Sequence, residues 1–138
     1  MQALKYRLPW PPSVNHYWRH VVINGRPRTL LSKEGREYKL QAVDAVRGQR
    51  RGPSAPLSGR IAISVTLFPP DKRRYDLDNR IKAVQDSLTA AGVWEDDNQV
   101  KVLHLEEGEV VKGGACIVHI APAPDRIALL SAYGEEED

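Results

Sequence analysis

Two aspartates two residues apart, Asp76 and Asp78, lie in the stretch RRYDLDNRIK at residues 73–82, behind an arginine pair and ahead of Lys82. A second acidic pair, Asp96 and Asp97, follows in WEDDNQ. Carboxylates brought together repel one another and lose hydration, so a cation is their natural counterpart. Hard oxygen ligands with water completing an octahedron are what Mg²⁺ takes. An ion held this way polarises a phosphodiester and activates water for in-line attack. An ammonium at Lys82 would stabilise the charge that develops on the phosphate or position the water. Each piece alone also has a plain structural use. Asp78 and Asn79 suit a helix N-cap, Asp78 and Lys82 an i,i+4 pair worth a few tenths of a kcal/mol, and EDDN a polar turn.

Spacing decides what Asp76 and Asp78 can share. In a helix their side chains would diverge by about 200°. In extended backbone they point the same way, with Cα atoms roughly 7 Å apart. Pro69, Pro70 and the basic run precede them, and the apolar stripe of a helix starts only at Ile81. These features predict an extended segment over 76–78, with a helix N-cap at Asp78 or Asn79. Lys82 then falls on the same helix face as Asp78, and Asp86 continues that face. Helix N–H groups at such a junction favour phosphate oxygens. An EF-hand loop is excluded, because its fifth and sixth positions would be Arg80 and Ile81.

The elements that must carry these residues are legible in outline. Leu4 to Pro9 reads as a first strand, and WPPSVN after it as an extended turn. NG at 24–25 marks a hairpin or arm through about 20–30. Ser32 caps a helix to about residue 47, with Tyr38, Ala42, Ala45 and Val46 on one side and Gly35 weakening its start. GQRRGPSAPLSG at 48–59 is a loop. Ile61, Ile63, Val65 and Leu67 alternate in the clearest strand. Ile81, Val84, Leu88 and Ala91 stripe a second helix, which Gly92 stops. Two further strands follow, around NQVKVLHLEEGEV and ACIVHI. The class is α/β (α+β): a single mixed β-sheet with two main helices. A helix followed by a returning strand can bring Asp97 back beside Asp76 and Asp78.

Composition bounds the partners. The chain has 138 residues, enough for one domain. No apolar run approaches the roughly 20 residues of a membrane span, and the N-terminus lacks a secretory pattern. The single Cys116 lies in an apolar run and reads as core; no Cys/His set has zinc spacing. A cytoplasmic protein with no membrane partner is expected. Net charge is +2, but without the terminal EEED the chain carries 20 basic against 14 acidic residues, or +6. A basic surface around an acidic pocket suits a polyanion handled through a divalent cation.

At these residues the sequence resembles the RusA family of Holliday junction resolvases. The matching pieces are LPWPPSVNHYWRH at 8–20, SKEGREYK at 32–39, the run from Pro69 to Val100, and VKGGACIVHI at 111–120, in family order. The resemblance implies a RusA-like domain over 1–122; the tail at 123–138 has no counterpart in it, and the acidic composition of its end predicts disorder there. It implies a homodimeric, Mg²⁺-dependent endonuclease, with Mn²⁺ as a substitute, that nicks four-way junction DNA symmetrically in recombination and repair. By position it places metal ligands on Asp76, Asp78 and Asp97 and the catalytic lysine on Lys82, with Asp96 and Asp86 as secondary candidates. Tyr75 stands where the family commonly has a basic residue.

Asn15, Tyr17, Trp18 and Arg19 are available to DNA after the proline pair, together with Arg73, Arg74 and Lys82. Trp10 is read as core and Trp94 as packing under the site; Trp18 suits either role. His104 and His119 are read as structural. A non-catalytic nucleic-acid-binding module and a phosphohydrolase of small nucleotides remain the rival functions.

Overall fold

The computed structural model describes residues 4–50 and 54–124. Of the tail expected at 123–138, only residues 123 and 124 are among them. Alternation along Ile61–Phe68 (β4) is what the sequence demands of a strand with one covered face. Ile61, Ile63, Val65 and Leu67 are buried, and the residues between them are half-buried. β4 lies inside a four-stranded mixed sheet. Ala115–Pro122 (β6) runs antiparallel on one side of it and Val100–Glu107 (β5) runs parallel on the other. Leu4–Leu8 (β1) completes the sheet beyond β6, antiparallel, pairing Leu4 with Ile120 and Leu8 with Cys116.

A parallel neighbour needs a crossover. Ile81–Ala90 (α3) supplies it, burying Ala83, Val84 and Leu88 with Ser87. Lys33–Gln49 (α2) packs beside α3 and over β1, through Tyr38, Ala42 and Val46. The Ser32 side chain accepts the Gly35 N–H at 2.9 Å and so caps α2 as expected. Gly35 does more than weaken this start. A Cβ there would run into the Tyr17 carbonyl, so glycine lets α2 dock against that backbone. Cys116 is fully buried in the core, and burial pushes its thiol pKa up to about 12.

Three features depart from the sequence reading. A one-turn helix, Val14–Tyr17 (α1), follows the prolines. The hairpin of Trp18–Ile23 (β2) and Arg26–Leu31 (β3) forms its own two-stranded sheet rather than joining the mixed one. Arg50, in the stretch read as a loop, turns inward: its guanidinium donates to the carbonyls of Ala91 (3.3 Å) and Gly92 (2.9 Å), closing the end of α3. Among the described residues no helix is long and apolar enough to cross a membrane.

Candidate active site

The acidic residues lie on the two connections that flank α3. After β4, residues 69–76 lead into a 3₁₀ turn, Leu77–Arg80, that packs against β5 and runs into α3. Asp76 has extended backbone (φ −92°, ψ 122°), but Asp78 is inside the 3₁₀ turn. The expected extended segment over 76–78 therefore ends at Asp76, and neither Asp78 nor Asn79 is the N-cap of α3. The cause is local. Asn79 donates its backbone N–H to the Asp76 carbonyl and its side-chain amide to Asp76 Oδ2, both at 3.2 Å, which tightens the chain one turn early. Asp76 and Asp78 are both exposed.

Beyond α3, Asp97 opens a second 3₁₀ turn, Asp97–Gln99. Asp96 caps it, accepting the Asn98 N–H at 2.9 Å, while Gln99 Oε1 accepts the Glu95 and Asp96 N–H groups. Asp96 thereby holds the turn through its Oδ1. Gln99 also donates to the Leu57 and Gly59 carbonyls, which ties the turn to the preceding loop.

Asp97 points at α3. Lys82 Nζ stands 3.1 Å from its Oδ2. Its Oδ1 accepts the Thr89 hydroxyl, which in turn accepts the indole N–H of Trp94 at 2.6 Å. Trp94 is fully buried and underlies this corner, as its place in the sequence suggested. Burial by itself opposes ionisation of Asp97. Hydrogen bonds from Thr89, Lys82 and Trp94, together with the Lys82 charge, outweigh it and hold the carboxyl below its ordinary pKa. One residue from the first turn of α3 and one from beyond its end are thus brought into direct contact. Thr89 was not foreseen; its place seven residues after Lys82, on the same helix face, was the available signal.

Asp86, between Lys82 and Thr89 on that face, is taken by other partners. It accepts the Tyr17 hydroxyl and pairs with Lys39 Nζ at 3.4 Å. Tyr17, expected to be available to DNA, is fully buried instead, because α1 tucks its ring between α2 and α3. Burial first, then the bond to Asp86, drives its phenol pKa well upward. Asn15, Arg19, Arg73 and Arg74 are exposed as expected, and Trp18 is half-buried. Trp10 is only partly buried, edge-on to Tyr75 with ring centroids 5.2 Å apart. His104 faces Glu106 on the surface and His119 is exposed on β6.

The donor types suit a hard divalent cation. Among the described residues, however, no three acidic, histidine or cysteine side chains stand close enough to hold one together. Both oxygens of Asp97 are already engaged within the protein.

Comparison with known proteins follows the same residues. Residues 9–120 match the family described as Endodeoxyribonuclease RusA. A protein of Enterobacteria phage 82 named crossover junction endodeoxyribonuclease rusA is 40% identical over 114 residues, covering 83% of this chain and 90% of that relative. Proteins named crossover junction endodeoxyribonuclease RusA from Shigella sonnei and Escherichia coli K12 are each 39% identical over the same coverage.

Proposed function

The chain belongs to the RusA family of endodeoxyribonucleases and is an enzyme that cuts DNA internally; from that premise we propose that its substrate is the four-way junction, nicked in symmetric pairs in recombination and repair. The catalytic set in this reading is Asp76, Asp78, Asp97 and Lys82, with Mg²⁺ as the cofactor and Mn²⁺ as a substitute. One observation carries it. The contact between Lys82 and Asp97 ties the acid-bearing connection after α3 to the first turn of α3, which follows the segment of Asp76 and Asp78 directly in sequence.

Each residue has a role its surroundings support. Lys82 keeps its side chain about half exposed while anchored at its tip, so its ammonium can meet a phosphate without a search through rotamers. Asp97 is held ionised and oriented by Thr89 and Trp94. Asp76 and Asp78 are exposed, where a DNA backbone can reach them. A divalent cation on Asp76, Asp78 and Asp97 would supply charge neutralisation at the phosphate and a more acidic water. Arg19, Arg73 and Arg74, with Asn15, supply exposed phosphate contacts that position the duplex arms without reading sequence. A junction has near two-fold symmetry, so a homodimer would present two such sites to opposed strands.

The test uses labelled four-way junction and linear duplex, with wild type and Asp78→Asn, in Mg²⁺ or EDTA. Paired nicks at the branch, abolished by EDTA and by the substitution while junction binding persists, are expected. Junction binding with no Mg²⁺-dependent cutting would overturn the reading in favour of a binding module.

A further inference from the structure

Next to Asp76 and Asp78 in the chain, the connection from β4 forms a cavity of about 300 Å³. Its walls include Trp10, Pro70, Arg73, Arg74, Tyr75 and Arg80. Tyr75 immediately precedes Asp76, and Arg80 follows Asp78 by two residues, so the cavity and the acids share one short segment. The volume is at the small end of ligand pockets, which run from about 300 to 1,000 Å³. One nucleotide fits such a space; a duplex does not.

The chemistry of the walls is specific. Trp10 and Tyr75 meet edge to face, at 83°, and so make a corner instead of closing on each other as a stack. Trp10 is held there from behind: a Cβ on Gly114, which has φ +73°, would come within 2.7 Å of the Trp10 Cβ. Arg80 covers the corner, its guanidinium carbon 5.0 Å from the Trp10 centroid and 5.7 Å from that of Tyr75. Its Nη1 donates to the Pro11 carbonyl at 2.8 Å, which fixes the group in place. Its Nε and the Tyr75 hydroxyl are buried and have no hydrogen-bond partner among the described residues. At the mouth, Arg73 and Arg74 are exposed, and the lining's single acid, Asp71, is paired with Arg73 at 3.3 Å. An aromatic corner held by a guanidinium, below a positively charged mouth, matches a nucleobase with its phosphate.

Resting on the junction-nuclease reading, we propose that this cavity takes one unstacked base of the strand being cut, against Trp10 and Tyr75, with its phosphate on Arg73 and Arg74. Unstacking a base costs a few kcal/mol in a duplex and least where pairing is already broken. A branch point is therefore where such a cavity is most readily filled. Base–aromatic contact of this type tolerates any base, because each has a π-face. The cavity would select for local opening of the DNA, alongside the phosphate contacts that report its overall shape.

The experiment walks a single abasic site, and in parallel a single 2-aminopurine, through the nucleotides around the nick of a four-way junction. Binding is measured in EDTA and nicking in Mg²⁺. With wild type, one position is expected to respond: affinity falls about 5- to 100-fold when its base is missing, and 2-aminopurine fluorescence changes there on binding. Trp10→Leu should produce the same loss on the intact junction and no further loss on the abasic one. Tyr75→Leu repeats the comparison should Trp10→Leu fold poorly, and the intact-to-abasic ratio cancels any general loss of binding. Arg74→Ala should weaken every substrate alike. A wild-type protein that nicks junctions while the walk is flat overturns the cavity and leaves the nuclease reading standing. Losses from Trp10→Leu and the abasic site that multiply overturn it equally. A protein that neither binds nor nicks junctions overturns both.

Discussion

The two acid-bearing connections around α3 are built in opposite ways. Asp97 is partly buried, its carboxylate tied to Lys82 and Thr89, and through Thr89 to the fully buried Trp94. Asp76 lies exposed just before a 3₁₀ turn and Asp78 exposed within it, where Asn79 is the hydrogen-bond partner of Asp76. One half is anchored in the core and the other is open to whatever binds. A site for a large polyanion needs both properties. A fixed reference sets the geometry, and an accessible face meets the substrate. The contrast also bears on the cation. In the proposed reading, donors that are not gathered beforehand would keep their mutual repulsion low until a cation and a phosphate arrive to offset it.

The largest expected effect separates function from stability. Asp78→Asn should lower junction nicking by about 100-fold or more while leaving the urea midpoint within about 0.5 kcal/mol of wild type. Asp97→Ala should lower nicking as much. It should also cost about 1–3 kcal/mol of stability, because Thr89, Trp94 and Lys82 lose their common acceptor. Equal destabilisation by the two substitutions would erase the distinction between the halves. Nicking rates on one labelled junction and urea unfolding followed by tryptophan fluorescence provide both readouts.

A smaller effect sharpens the same contrast through the residues that hold the acids. Thr89→Val keeps the shape but removes the hydroxyl between Trp94 and Asp97. About 1 kcal/mol of stability and roughly 10-fold in nicking should be lost. Asn79→Ala removes the corresponding support from Asp76. Stability should stay within about 0.5 kcal/mol, because the exposed group regains water. A larger stability loss from Asn79→Ala than from Thr89→Val would mean that the turn at 77–80, not the one at 97–99, is the anchored half.

Much of the scaffold was legible because its signals are periodic. The alternation of Ile61, Ile63, Val65 and Leu67 and the stripe of Ile81, Val84 and Leu88 each specify one inward face; all are buried as read except Ile81, which packs against the core only partly covered. Ser32 as a cap is local chemistry and was equally readable. What escaped depends on contacts between distant residues. Tyr17 looked like a surface aromatic after a proline turn, yet its partner is Asp86, 69 residues away. Arg50 sits in a basic loop sequence, but the end of α3 offers it two carbonyls. The turn at Asp78 was misread for another reason. An Asn three residues after an Asp can close a 3₁₀ turn as easily as it can cap a helix, and sequence spacing does not choose between them. The hairpin pairing was encoded by Asn24 and Gly25, both at positive φ, but its separation from the main sheet was not.

The smallest effect concerns acid. The carboxyl of Asp97 has its pKa lowered on folding, from an unfolded value near 3.9. Between the two values the unfolded chain binds more protons than the folded one, so stability rises with pH across that window. The contribution is complete above about pH 4 and is lost as pH falls through the folded value. Because the side chain is partly exposed, its size is under about 1 kcal/mol. Urea midpoints of wild type and Thr89→Val, measured in EDTA from pH 7 to pH 3, isolate it. The gap between the two proteins should be constant down to about pH 4 and then narrow, as protonation weakens the bond that Thr89 makes. A gap that stays constant while the stability of wild type itself falls with the protonation of Asp97 would mean that Thr89 supports Asp97 by packing alone. The anchored half would then owe its order to Trp94 and the core, with the charge of Asp97 incidental to it.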